Sequence, residues 1–129
     1  MRTIVLLAAC LVASFAYAGQ VRERDATWGA PTEAASKQNP LSGQTDVVAG
    51  GRKLFHQRCA SCHNEDARGT TKGPDLTDAA VQQQTDGALF WKMTGGNSHA
   101  GMPAFSFLPE LQRWQLVLAL RDYASVAGR

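Results

Sequence analysis

The sequence predicts a mostly α-helical domain, built of several short helices that are joined by long loops. Three observations support this fold class. Four segments of the chain carry helical apolar spacing or helix-end signals. No alternating strand pattern of any length appears, and the stretches between the helical segments are rich in glycine and proline. With 129 residues, 44% hydrophobic and 19% charged, the chain has the size and composition of one globular domain.

The first predicted helix begins near Thr45 or Asp46, because either side chain can cap a helix N-terminus. Its apolar and small residues then recur at helical spacing: Val47, Gly51, Leu54 and Phe55. The glycine pair Gly50-Gly51 weakens a helix by about 1 kcal/mol per residue, so its presence predicts that another backbone approaches closely. The following stretch, EDARGTTKGPDL, is predicted to be a loop.

Three further helices are predicted in the second half of the chain. A short one lies around residues 77–83, and another runs from Asp86, as its N-cap, to Thr94, with Gly95-Gly96 as its stop. The last is the clearest: Pro109 lies in its first turn and it continues to about Ala124. Its apolar stripe consists of Leu111, Trp114, Val117, Leu118 and Leu120.

The N-terminus has the features of an export signal. Arg2 precedes an apolar run from Ile4 to about Phe15, which ends in the small-x-small pattern Ala16-Tyr17-Ala18. Because a spanning helix needs roughly 20 apolar residues, we expect residues 1–18 to be a cleaved signal peptide. A retained anchor and a lipoprotein signal at Cys10 are the alternatives. Residues 19–45 then form an extension, either pinned to the domain by Trp28 or mobile, and residues 46–129 form the domain itself.

A domain of this size with short helices buries too little apolar surface to offset its chain entropy, and it therefore needs a staple or a large apolar group at its centre. The motif CASCH, from Cys59 to His63, provides an attachment site for such a group. C-x-x-C-H is the attachment signature of c-type haem: the two thiols form thioethers with the porphyrin vinyl groups, and the adjacent His63 becomes the proximal iron ligand.

Three other readings of the two cysteines remain open at this point. A thioredoxin-type dithiol needs a preceding strand and a βαβ context, neither of which the sequence predicts. A zinc site needs four ligands, and no second C-x-x-C is present. A disulfide between Cys59 and Cys62 would close a small, strained ring in an exported protein.

The sixth iron ligand is predicted to be Met102, in the loop sequence GMPAF. Gly101 allows the chain to approach closely and Pro103 fixes the local backbone. Met93 lies within a predicted helix, where a methionine more often packs in the core. His99 is a further alternative ligand, whereas we expect His56 to be a surface residue.

Four aromatic residues are candidate haem contacts. Phe90 and Trp91 are predicted either to pack on the porphyrin or to belong to the ordinary core, and the Trp91 indole N–H can alternatively bind a propionate. Phe105 and Phe107, just after Met102, are expected to form walls of the pocket.

From about Asp46 to Ala124 the chain resembles the class I c-type cytochromes. The resemblance rests on Gly51 and Phe55, the motif Cys59-x-x-Cys62-His63, Gly73-Pro74, Met102-Pro103 and the closing helix from Trp114 to Tyr123. It implies the cytochrome c fold, in which the first and last helices cross at a glycine–aromatic contact. It also implies that the Pro74 carbonyl accepts a hydrogen bond from the proximal histidine. The chain departs from the pattern at Ala119, where the family often has an aromatic residue; Trp114 or Tyr123 would fill that space.

The resemblance implies a periplasmic monohaem electron carrier with one haem c attached through Cys59 and Cys62, and no enzymatic activity of its own. The expected partners are redox proteins, one donor and one acceptor. The alternatives are a permanent electron-transfer subunit of a larger dehydrogenase or oxidase, and a haem protein whose open sixth site binds a small ligand. A formal net charge of +2 argues against nucleic acid as a partner, and no membrane span is expected in the mature form.

Overall fold

The computed structural model describes residues 28–129, and the predicted signal peptide lies outside the described residues. These residues form six α-helices and one short 3-10 turn, with no named strand among them. The helices are α1 (Thr32–Ala35), α2 (Val48–Arg58), α3 (Ala60–His63), α4 (Ala79–Gln82), α5 (Asp86–Gly95) and α6 (Glu110–Ala127), and the 3-10 turn is Ser98–Ala100. The mostly helical fold class is therefore confirmed.

Two predicted helix caps are wrong. Helix α2 has Val47 as its N-cap, without a side-chain hydrogen bond, instead of Thr45 or Asp46. Helix α5 is capped by Thr85, whose hydroxyl accepts from the Ala88 N–H at 3.2 Å, so that Asp86 becomes the first helical residue. Asp86 in the first turn still stabilises the helix through the helix macrodipole. The sequence is therefore compatible with either Thr85 or Asp86 as the N-cap.

The core forms where α2 crosses α6. Gly51 is buried against the backbone of Gln115, and a methyl group at its Cα would overlap the Gln115 carbonyl oxygen and lie 3.2 Å from the Ala119 side chain. One turn further along α2, the Phe55 ring packs on Tyr123 with centroids 4.8 Å apart. The small residue Ala119 thus faces Gly51, and Tyr123 supplies the aromatic contact that Ala119 lacks.

The second layer of the core joins α5 to α6. Phe90 stacks on Trp114 with ring centroids 3.9 Å apart and an interplanar angle of 18°. At the other end of α5, the Arg121 guanidinium binds the Asp86 carboxylate at 2.9 Å and the carbonyl oxygens of Gln82 and Gln84. Charge-assisted bonds of this kind fix α4 and the start of α5 against α6.

The described part of the predicted extension packs on the domain. A methyl group at Gly87, on α5, would lie 2.8 Å from the Lys37 carbonyl oxygen, and the Thr85 hydroxyl donates to the Ala35 carbonyl at 2.7 Å. The buried Asn39 amide donates to the Trp114 carbonyl at 3.2 Å. The Lys92 ammonium lies 4.7 Å from the centre of the Trp28 ring, at the position where the sequence predicts an anchor. Residues 28–45 therefore form a strap across α5 and α6.

The Tyr123 hydroxyl is buried without a hydrogen-bond partner in the described part of the chain. Burial raises the pKa of this phenol above its usual value, so the group is neutral and unpaired at neutral pH. An unsatisfied buried hydroxyl costs about 1–3 kcal/mol. Tyr123→Phe keeps the aromatic ring packed on Phe55 and removes the unpaired hydroxyl. We therefore expect the free energy of unfolding to rise by about 1 kcal/mol. Urea denaturation of the purified protein measures this, and a clear loss of stability would show that the hydroxyl has a partner after all.

Candidate haem site

The C-x-x-C-H motif begins at the junction of two helices. Cys59 is the C-cap of α2 and also the N-cap of α3, and its N–H still donates to the Phe55 carbonyl at 2.8 Å. The N–H groups of Cys62 and His63 donate to the Cys59 carbonyl at 3.1 and 2.9 Å. The motif is thus a single tight helical turn that holds both thiols and the imidazole close in sequence and in space.

The two thiols are free and half-buried. Burial raises the pKa of Cys59 to about 12, and the nearby Cys62 adds to this effect. The free thiol of Cys59 is therefore neutral at neutral pH. Within residues 28–129, no three His, Cys, Asp or Glu side chains cluster closely enough to hold a metal ion.

The His63 imidazole is buried, with 8% of the residue exposed. Its Nδ1 atom lies 2.9 Å from the Pro74 carbonyl oxygen. A carbonyl only accepts, so Nδ1 carries a proton, and in the neutral imidazole the lone pair is therefore on Nε2. The structure thus contains the hydrogen bond that the resemblance implies, and it leaves the correct nitrogen free for an iron.

Gly73 gives the imidazole its space. A methyl group at this position would lie 2.9 Å from the His63 Cε1 atom, 3.0 Å from Nδ1 and 2.9 Å from the Cys62 carbonyl oxygen. Only glycine permits so close an approach of the loop to the ring. The donor set and this cradle fit a covalently attached haem with His63 as an axial ligand.

The sequence did not predict a role for Thr70 in this site. Its hydroxyl donates to the Cys62 carbonyl at 2.6 Å, and its N–H donates to the Gly73 carbonyl at 2.9 Å. It therefore ties the motif to the loop that carries Pro74. The only sequence signal for this role is the pair of threonines between Gly69 and Gly73. Threonine hydroxyls in loops often form hydrogen bonds with nearby backbone groups.

Met102 lies in the loop between α5 and α6, as predicted. Its side chain is half-buried and packs against the buried hydrophobic core, as the Cys59 side chain does. Met93 lies on α5 and is 7% exposed, inside the core. His56 and His99 are both exposed.

The aromatic candidates differ in burial. Phe90 is 9% exposed and stacks on Trp114, as expected if it belongs to the ordinary core. Trp91 is 36% exposed. Phe105 is 6% exposed, and its N–H donates to the Met93 carbonyl at 3.1 Å, whereas Phe107 is 64% exposed. Contact of these four rings with a haem stays a prediction.

Similarity to known proteins agrees with this geometry. A family model described as cytochrome c oxidase, cbb3-type, subunit III, matches residues 46–118, which is more than half of the chain. The chain belongs to this family. Members of the cytochrome c family carry covalently attached haem c, and Cys59, Cys62 and His63 form the attachment motif in this member. The predicted resemblance to c-type cytochromes is thereby confirmed, and with it the cofactor.

One relative supports the family assignment, and one solved structure supports the fold. The chain is 32% identical over 62 residues to a cbb3-type cytochrome c oxidase subunit FixP of Rhizobium etli. This alignment covers 46% of the chain but only 22% of that relative, so the chain spans about a fifth of the relative's length. The fold is similar to that of cytochrome cL from the methylotroph Methylophaga aminisulfidivorans, with a TM-score of 0.58. That likeness covers 74% of this chain and 75% of the other at 22% identity, which confirms the cytochrome c fold.

Proposed function

We propose that this cytochrome c domain transfers single electrons between redox proteins, with His63 and Met102 as the axial ligands of one haem. When bound, the haem supplies a one-electron iron couple. The observation that carries the proposal is the 2.9 Å contact between His63 Nδ1 and the Pro74 carbonyl, because it fixes the tautomer and orients Nε2. The protein then holds one side of the iron with a rigid, basic imidazole.

Met102 is the proposed ligand on the other side. Its loop is ordered by backbone hydrogen bonds at both ends, and its side chain is half-buried against the core. A thioether ligand favours ferrous iron and raises the reduction potential. With both axial positions filled, the iron has no open position for a substrate, so the chain acts as a carrier without enzymatic activity of its own.

The signal-like sequence of residues 1–18 supports export and a periplasmic location for the mature protein. In the described residues, no helix has the length and apolarity needed to cross a bilayer. The partners would then be periplasmic donors and acceptors, met by weak and partly apolar docking, since the small net charge gives little electrostatic steering.

A permanent place in an oxidase is the second candidate, and the family match favours it specifically. In that case the electron chemistry is unchanged and the partner stays bound. Purification from membranes and periplasm at high salt separates the two: a free carrier is recovered alone, whereas a subunit co-purifies with its complex.

The test of electron transfer is a potentiometric titration of the purified protein with one haem per chain. We expect one reversible wave with a one-electron slope, and a ferrous form that does not readily bind carbon monoxide. Rapid binding of carbon monoxide would contradict the proposal and favour the third candidate, a haem protein with an open sixth site.

A further inference from the structure

The loop that carries Met102 returns tightly onto the end of α5. Gly96 is the C-cap of α5 and has φ +66°, a conformation that side chains rarely adopt. A methyl group at Gly96 would lie 2.6 Å from the Pro103 carbonyl carbon and oxygen and 2.6 Å from the Ala104 nitrogen. The backbone directly after Met102 therefore rests on Gly96.

The next residue closes the loop. Asn97 and Met102 form an antiparallel bridge, in which each N–H donates to the other's carbonyl at 2.9 Å. The Asn97 side-chain oxygen also accepts from the Ala100 N–H at 3.3 Å, which caps the 3-10 turn inside the loop. Gly101, with φ +81°, completes the turn back to Met102.

Both ends of the loop are fixed to α5. The Gly96 N–H donates to the Lys92 carbonyl at 2.8 Å, and the Phe105 N–H donates to the Met93 carbonyl at 3.1 Å. The position of the Met102 backbone is therefore determined by α5 through Gly96 and Asn97.

We propose that Gly96 and Asn97 are positioning residues that hold the Met102 backbone where its thioether would bind the iron. This inference rests on the proposed role of Met102 as a ligand. The simpler explanation is that Gly96 only ends α5, as glycine often does. The two explanations differ, because a mere helix stop does not control the bond between Met102 and the iron.

The adjacent glycine provides a matched control. Gly95 is the last residue of α5, without a positive φ, and a methyl group there would meet nothing within 4 Å. Gly95→Ala and Gly96→Ala are thus the same chemical change at neighbouring positions, and only the second pushes on Pro103 and Ala104.

The test measures the near-infrared charge-transfer band of iron–methionine ligation in the ferric protein and carbon monoxide affinity in the ferrous protein. We expect Gly95→Ala to match the wild type. We expect Gly96→Ala to weaken the band and to raise the affinity for carbon monoxide by about tenfold or more, where tenfold corresponds to about 1.4 kcal/mol. Wild-type band intensity in Gly96→Ala, with an affinity within about twofold of Gly95→Ala, would overturn the inference.

A second pair of variants decides the matter if Gly96→Ala does not fold. Asn97→Ala removes the oxygen that accepts from Ala100, whereas Asn97→Asp keeps an acceptor. We expect a few-fold higher carbon monoxide affinity in the alanine variant and near wild-type behaviour in the aspartate variant. Equal behaviour of the two overturns the role of Asn97. A wild-type protein that lacks the band and binds carbon monoxide overturns the proposed function as well, whereas a normal wild type with unaffected variants overturns this inference alone.

Discussion

Gly51→Ala is expected to lower the free energy of unfolding by about 1–3 kcal/mol, the typical cost of overpacking a well-packed contact. The added methyl group would overlap the Gln115 carbonyl oxygen and lie 2.8 Å from its carbon. Backbone cannot move aside as a side-chain end can, so α2 and α6 would have to separate. Separation would also disturb the Phe55–Tyr123 contact one turn away. Urea denaturation of the haem-loaded protein, followed by far-ultraviolet circular dichroism, measures the change.

Gly50→Ala is the control for this prediction. A methyl group at Gly50 would lie 3.5 Å from the Gln115 side-chain nitrogen, which is ordinary contact with a flexible group. Alanine favours a helix over glycine by about 1 kcal/mol, so we expect Gly50→Ala to be neutral or stabilising. Similar stabilities of the two variants would contradict the crossing geometry.

Gly73→Ala is expected to disturb the proximal side of the haem. The methyl group would press on both the imidazole and the Cys62 carbonyl, and the ring would move away from Pro74. Loss of the hydrogen bond makes the imidazole less basic and thus a weaker donor to ferric iron. We expect the reduction potential to rise by about 60 mV, the shift for a tenfold change in relative affinity in a one-electron couple.

The comparison for Gly73→Ala is Gly29→Ala, since a methyl group at Gly29 meets nothing within 4 Å. Both variants should fold and carry haem, and only the first should shift the potential. An unchanged potential in a folded Gly73→Ala protein would mean that the imidazole tolerates the methyl group and that Gly73 does not define its position.

Local patterns predicted much of this fold. Helix α6 follows from Pro109 and the apolar stripe, although it extends to Ala127, past the expected Ala124. Gly51 was correctly expected to meet another backbone. The caps were harder, because Thr85 and Asp86 are neighbouring residues of which either can cap, and only the packing of α5 on the strap selects Thr85.

The strap and the methionine loop depend on contacts between distant residues. Residues 28–45 have no apolar period, and they pack through backbone atoms near Gly87, through the Asn39 amide and through two isolated side chains, Trp28 and Leu41. Hydrophobic periodicity does not reveal such contacts. Gly96 was likewise predicted only as a helix stop, since its closeness to Pro103 arises from the return of the loop. The motif from Cys59 to His63 was predictable because its chemistry lies within five residues.

The most direct test of the central claim is the near-infrared spectrum of the ferric protein, compared with Met102→Ala and Met93→Ala. Met93 is the matched control, because it is a methionine buried in the core on α5. We expect an iron–methionine band in the wild type and in Met93→Ala, and its loss in Met102→Ala. A wild type without the band, or a band that disappears with Met93 and persists without Met102, would contradict the assignment of His63 and Met102 as the axial pair.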